Sequence, residues 1–370
     1  MDAAYQWFAG ANPVNATWPL VPTLLPDEII SSWLVRCALA QGCDPLTLTG
    51  SLWPGVRFWC ADPDKGLSKS QATDLGVFAG MPVEVLNSST LASIRSALSE
   101  QGDFPNAITP WILCLGLRNR RRSGGLQYCP QCFVERQPYY EIQSRLAWHS
   151  ICPIHQLTLL DRCQCCGSPL CPHLLTPPEE DLGRCHRCRF ELKSAMGRTI
   201  SSDAMCLQHA ADRLLAGETQ FYGDERLGVP DWFYLCRWML GILRSAARAR
   251  SSSSKQFFQR LNVDFEALTR PSTGLPFQYL TPMDRAHLLA DTWKMIQAGP
   301  ESLAQACSEF SIAPSLMPLP AGNPPACVMS IILGLQGRRS KGDIHHHADA
   351  PRSGKSVLMQ WHRLLRKTKR

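Results

Sequence analysis

"YCPQCFVERQPYYEIQSRLAWHSICPIHQLTLLDRCQCCGSPL", residues 128–170, carries six cysteines and two histidines, most of them in pairs two residues apart. Such residues can make a disulfide framework, a redox centre or a metal scaffold. Disulfide-dense chains are small secreted domains that cannot bury a sufficient core. This chain has 370 residues and 45% hydrophobic composition, enough for two or three ordinary cores. Its N-terminus, "MDAAYQWFAGANPVNATWPL", has an acidic second residue and no long apolar run, so it does not read as a signal peptide. The longest apolar stretch, residues 232–243, is interrupted by Arg237 and falls short of the roughly 20 residues that span a bilayer. A soluble protein of a reducing cytoplasm is expected, and there paired cysteines point to metal before disulfide.

The spacing sharpens this. Cys129-x2-Cys132 is followed after 19 residues by Cys152-x2-His155, and Cys163-x2-Cys166 is followed after 18 by Cys185-x2-Cys188. Each short turn can put two ligands on one side of a loop, and two turns complete the tetrahedral shell that structural zinc prefers. The expectation is two zinc ions per chain, one held by three thiolates and an imidazole, the other by four thiolates. Four protein ligands leave no open position, so these ions fold the chain and do no chemistry. Cys165, Cys171, His149, His173 and His186 lie close enough to compete, but Cys163 and Cys166 preserve the two-residue spacing, and Gly167 follows as a tight knuckle requires. In an interleaved RING pairing the second and third pairs nearly abut; the seven residues between His155 and Cys163 favour sequential sites.

The flanks read as helices. Ile30, Trp33, Leu34, Cys37 and Ala38 recur at helical period between Pro26 and Gln41, with Asp27 and Glu28 expected in the first turn and Gly42 as the stop. Trp33 is expected in the core and Arg36 in an ion pair. Asp44-Pro45 opens a second helix. A third runs from Lys69 to Ala79, breaks at Gly80, and a fourth restarts at Pro82 through Asn87, the outline of a helix-turn-helix. Beyond residue 200, "SSDAMCLQHAADRLLAGE", "DWFYLCRWMLGILRSAARAR" and "TPMDRAHLLADTWKMIQAG" have helical periods, the last ending at Gly299, while "RSSSSKQ", residues 250–256, reads as an exposed connector. The fold class is mainly α with small zinc-ribbon elements. The division expected is a helix-turn-helix-like bundle over 1–104, a double zinc module over 105–199, a C-terminal helical domain over 200–337 and a basic tail over 338–370. "QGDFPN", residues 101–106, is a Gly- and Pro-bearing joint between the first two.

The chain carries a net charge of +7, and residues 338–370 hold ten Lys or Arg against two Asp, so the whole excess sits in the tail. Arg363, Arg366, Lys367, Lys369 and Arg370 in "WHRLLRKTKR" suit phosphate backbones or an acidic partner. Arg118, Arg120, Arg121 and Arg122 form a second cluster just before the first cysteine pair. "SGKS" at 353–356 lacks the first glycine of a phosphate loop, since Asp349 stands there. His345–His347 reads as surface loop, and cysteines outside the two sets, such as Cys37, Cys114 and Cys236, read as small core residues. With no nucleophile, base or carboxylate constellation, the chain reads as a scaffold and not an enzyme.

Tyr128-Cys129-Pro130-x-Cys132, Pro138-Tyr139-Tyr140, Trp148, Cys152-Pro153-x-His155, Leu159 or Leu160, and Cys163-x2-Cys166-Gly167 resemble the signature of the TniQ/TnsD family of transposition target selectors. The resemblance extends to Pro26, Glu28, Ser32, Trp33 and Arg36, a P-x-E-x3-SW-x2-R pattern, and covers about residues 20–190. It implies a target-site adaptor linking either DNA itself or a guide-RNA effector complex on DNA (Cascade-like) to the transposon's AAA+ ATPase regulator (TnsC-like) and through it to the transposase. It further implies pairing between copies, so a homodimer or a monomer that dimerises on its target is expected; the short apolar runs lead us to expect no membrane. The length resembles that of the shorter, CRISPR-associated members and equally that of stand-alone mercury-transposon adaptors. The alternative reading is a zinc-ribbon and helix-turn-helix transcription regulator that binds a two-fold operator.

Overall fold

A computed structural model describes residues 17–99, 109–115, 125–178, 181–199, 202–268 and 275–339. Within these the chain is mainly helical, with eleven α-helices and one two-stranded hairpin. No helix among the described residues is long and apolar enough to cross a membrane. Residues 101–106, the arginine cluster at 118–122 and the tail beyond 339 lie outside the described residues.

The first helix, α1 (Ile30–Ala40), begins four residues later than its periodicity suggests. Asp27 adopts a left-handed backbone (φ 54°) and Glu28 pairs in an isolated bridge with Glu141, so neither acid serves the first turn. Both are drawn instead into long-range bonding, which repays more than a helix-dipole contact of about 0.3–1 kcal/mol. α2 (Pro45–Leu52) starts as its sequence suggests: Asp44 accepts the Thr47 N–H at 2.9 Å and Pro45 takes the first helical position. α3 (Lys69–Ala79) is opened by a reciprocal capping box between Ser68 and Gln71 and closed by Gly80 at φ 62°, a conformation cheap only for glycine. α4 (Val83–Ser88) and α5 (Ala92–Leu98) follow. α3 and α4 pack about the glycine turn, giving the helix-turn-helix outline with a short second helix. Trp33, Leu34, Leu48, Trp53, Leu75 and Leu86 form the core of this unit. Trp33 is fully buried and donates its indole N–H to the Pro22 carbonyl.

One further helix, α6 (Pro130–Glu135), lies in the cysteine-rich segment, which otherwise consists of tight turns joined by isolated β-bridges. Beyond it stand α7 (Asp203–Leu215), the hairpin β1 (Gln220–Tyr222) and β2 (Glu225–Leu227), α8 (Val229–Ala249), α9 (Ser252–Arg260), α10 (Pro282–Glu309) and α11 (Ala326–Arg339). α10 packs against α7 and α8. Two readings are corrected. Residues 250–256 are not a loose connector: Ser251 accepts the Ser254 N–H at 3.1 Å and caps α9, which is held by buried Phe257 and Phe258. The serines favour a cap over a coil. The helix that opens at Thr281 and Pro282 does break at Gly299 (φ 81°), yet Pro300 starts a continuation to Glu309.

The core is shared across these segments. Trp148 of the cysteine-rich segment lies 4.9 Å from Phe233 of α8 between ring centroids, and Trp111 lies 5.3 Å from Phe233. Arg285 of α10 is buried and donates to the Gln127 side-chain carbonyl, while Gln127 donates to the carbonyls of Leu146 and His149. α5 also packs on α8.

Candidate metal centres and the knot beside them

Three of the four pairs share one backbone geometry. In each, the N–H four residues past the first ligand donates back to that ligand's carbonyl at 2.9 Å: Gln156 to Cys152, Gly167 to Cys163, Arg189 to Cys185. The first ligand's own N–H then donates to the carbonyl five residues on, Leu157, Ser168 or Phe190, at 2.8–2.9 Å. An isolated bridge closes each hairpin, at Ile151 with Thr158, Arg162 with Pro169, and Arg184 with Glu191. The residue after each second ligand sits in the left-handed region, Gln156 at φ 55°, Gly167 at 68° and Arg189 at 61°. Only Gly167 betrays that conformation in the sequence; the other two carry side chains there at a cost of order 1–3 kcal/mol, which persists only where the surroundings enforce it. The fourth pair, Cys129 and Cys132, is built differently, as the N-cap and first turn of α6.

These turns gather Cys129, Cys132, Cys152 and His155 into one cluster and Cys163, Cys166, Cys185 and Cys188 into another, the ligand atoms of each lying within 4.8 Å of one another. The separations fit a tetrahedral metal. A zinc–sulfur bond of about 2.3 Å places tetrahedral thiolates about 3.8 Å apart. Cys132 and Cys152 are 3.6 Å apart, Cys163 and Cys188 3.6 Å, and Cys166 and Cys185 3.7 Å. The His155 Nδ1 stands 3.3–3.5 Å from the three sulfurs of its cluster. A disulfide needs about 2.05 Å, and every cysteine is free. The donor set of thiolates and one imidazole suits zinc.

The competing residues stand outside both clusters. His149 is buried, with Nε2 2.7 Å from an Asp212 carboxylate oxygen that also accepts the Trp148 indole N–H. His173 stacks on Trp59 at 5.2 Å, Cys171 is buried outside the clusters, and Cys165 is exposed. Spacing did not suggest Glu135: its carboxylate lies 3.0 Å from His155 Nε2, on the side away from the sulfurs. A carboxylate there fixes the ring and leaves Nδ1 to ligate. Cys37 and Cys236 are core residues, Cys114 is half-buried, and Cys60 and Cys206 are exposed.

Beside the first cluster the chain ties itself into a polar knot. Glu28, 1% exposed, accepts from the Ser32 hydroxyl at 2.8 Å, the Leu25 N–H at 3.1 Å and the Arg36 guanidinium at 2.5 Å. Burial raises its carboxyl above the ordinary range against the pull of those three donors. Ser32 accepts the Tyr140 N–H at 3.0 Å, the Tyr140 carbonyl accepts the Ile29 N–H at 2.9 Å, and the Asp27 carbonyl accepts the Ile142 N–H at 2.8 Å. On the other face of α1, Asp64 accepts the Ser31 N–H and hydroxyl at 3.0 and 2.9 Å. Arg145, also fully buried, binds Asp64 and, in fork fashion at 3.0 and 2.6 Å, Asp62, with a further bond to the Leu113 carbonyl. Two windows about a hundred residues apart in sequence are therefore one site.

Arg118, Arg120, Arg121, Arg122 and the tail residues Arg363, Arg366, Lys367, Lys369 and Arg370 lie outside the described residues. No curated protein matches the chain. The TniQ family model matches residues 19–159, a span that contains the whole knot and the first cluster and stops before Cys163. That domain is associated with transposition target selection. Over that span the chain is similar to the TniQ family.

Proposed function

We propose that the chain is a target-selection adaptor in DNA transposition, joining a marked target to an AAA+ ATPase regulator and through it to the transposase. The observation that carries this is the TniQ match over the segment in which the Glu28 and Tyr140 windows interlock. On this reading the chain contributes no catalysis. The eight residues Cys129, Cys132, Cys152, His155, Cys163, Cys166, Cys185 and Cys188 hold two zinc ions, each in a closed shell that anchors turns too short to hold themselves. The units at 1–104, 105–199 and 200–337 form a shape-holding scaffold, and the arginines at 118–122 and in the tail supply sequence-independent attraction to nucleic acid. The target is DNA itself or a guide-RNA effector complex already on DNA, and the adaptor acts as a homodimer in the cytoplasm.

The test is an insertion assay with the cognate transposase, regulator and target. The chain should be required for insertion at the directed site and dispensable for undirected insertion. An unchanged distribution of insertion sites in its absence overturns the proposal, and two-fold protection of an operator by the chain alone, with no affinity for the regulator, favours the transcription-regulator alternative.

A further inference from the structure

α8 carries three arginines on one stripe, Arg237, Arg244 and Arg248, separated by seven and four residues, so that all face the same side of the helix. That stripe floors two adjoining grooves. One, of about 440 Å3, contains Arg237 and Arg244 and is walled by Phe277 and Leu319. The next, of about 560 Å3, contains Arg248 with the hydroxyl residues Ser251, Ser253 and Ser315. Residues 311–316 flank the second groove and 318–320 the first, so the two follow one another along α8 and make one discontinuous channel beside this segment.

The channel is charged on one side of the ledger only. No Asp or Glu lines either groove among the described residues. Arg237 and Arg244 are partly buried, and burial lowers both below the usual guanidinium range; Arg248 lowers Arg244 further. The Arg244 Nε is buried with no hydrogen-bond partner, while its Nη2 donates to the Leu275 carbonyl. Arginines stay charged at neutral pH, so the free protein holds desolvated cations whose cost no carboxylate offsets. An anion that enters the channel removes that cost.

We infer that this channel binds single-stranded nucleic acid, with phosphates on Arg237, Arg244 and Arg248 and bases against the apolar wall at Phe277. The guanidinium fork matches a phosphate, and serine hydroxyls add further phosphate donors. A row of cations beside a ring that bases can stack on is the combination single strands use. An acidic peptide would use the arginines but not the aromatic wall, and a duplex keeps its bases paired and stacked and offers none to the ring. The inference stands apart from the zinc sites and from the family match, which ends at residue 159.

The test is fluorescence anisotropy on the full chain with labelled 20-nucleotide single strands of RNA and of DNA and a 20-base-pair duplex, across a salt series. A chain with R237Q, R244Q and R248Q should bind single strands at least about tenfold more weakly and lose about two units of log-log salt slope, at about 0.7 per phosphate contact. The exposed single variant R248E keeps the proposal testable should the triple variant fold poorly; it should lose affinity with unchanged zinc content and melting temperature. Stronger binding of RNA or of DNA names the source of the strand, and either supports the proposal. Unchanged affinity and slope in both variants overturns it. So does a duplex bound as tightly and weakened as much, or polyglutamate competing as well as the strand.

Discussion

The two cysteine clusters share one kind of knuckle, used twice in the second and once in the first, whose other pair opens α6. The first lies at a junction: Cys129, Cys132 and Cys152 are buried with Leu157 and Leu159, and α6 leads from them straight to Arg136, Glu141 and the knot that seizes α1. The second has Cys163 and Cys185 buried in the main core and Cys188 exposed beside the exposed Cys165; its segment meets the N-terminal unit by packing, His173 on Trp59, and not by the backbone bonds seen beside the first. The family match includes the first and stops short of the second. A shared knuckle thus says little about how much of the molecule depends on a site; what the site is fastened to decides that.

The largest effect should follow from breaking the first cluster. A structural zinc is worth about 10–16 kcal/mol in zinc-finger peptides, comparable to the whole stability of a domain, about 5–15 kcal/mol. Cys152→Ser and Cys188→Ser should each lower bound zinc from two to one per chain by metal analysis. Only Cys152→Ser should also expose the N-terminal helices to proteolysis, because its cluster holds α6, which leads into the Tyr140–Glu141 segment bonded to α1. Equal proteolysis of the two variants would erase the distinction between the sites.

A smaller loss is expected from Arg145→Ala, which leaves Asp62 and Asp64 facing each other without their cation. Removing one partner of a buried pair costs about 3–5 kcal/mol, readable in urea unfolding, while zinc should stay at two per chain. Burial already raises the Asp64 carboxyl, with Arg145 and Ser31 opposing. Without Arg145 the folded chain takes up a proton there at a pH where the unfolded chain, with its carboxyl near about 3.9, does not. A raised folded value gives stability at low pH that is lost as pH rises through it, so the deficit of the variant relative to wild type should shrink between pH 8 and pH 5. Loss of zinc in this variant would show that knot and cluster are one unit and not neighbours.

How much of this the sequence disclosed depends on range. The eight cluster residues and their grouping were readable because a two-residue spacing is local. The caps at Asp44, Gly80 and Thr281 were readable for the same reason. Trp33 as core and Arg36 as an ion-pair member followed from period and residue type, yet the partner of Arg36 was missed: Glu28 reads as a first-turn acid until its bridge to Glu141 is seen to hold the chain out of helix. Asp62, Asp64 and Arg145 gave no signal, since a pairing across 81 to 83 residues leaves no periodicity. The α9 cap was hidden by composition, four serines looking more like a linker than a helix start. The α8 arginines were lost in an apolar run whose burial took precedence in the reading.

The smallest effect concerns Glu135, and it tests whether the first cluster is tuned as well as fastened. Its carboxylate sits 3.0 Å from His155 Nε2 while the Nδ1 faces three sulfurs. A carboxylate partner of this kind orients the ring and makes the ligating nitrogen more basic; losing one typically costs 10–100-fold in metal affinity. Glu135 is exposed at the end of α6, so Glu135→Ala should leave folding intact. The measurement is cleanest in a Cys188→Ser background, where the remaining zinc belongs to the first cluster. Chelator competition should then show affinity lower by about 10–100-fold than in Cys188→Ser alone, with the lower half of that range expected because solvent screens an exposed pair. Glu135→Gln, which keeps an acceptor and loses the charge, should fall between. If Glu135→Ala releases zinc no faster than its parent, the contact is only a surface pairing, and the first cluster owes its strength to its burial and its tether to α1.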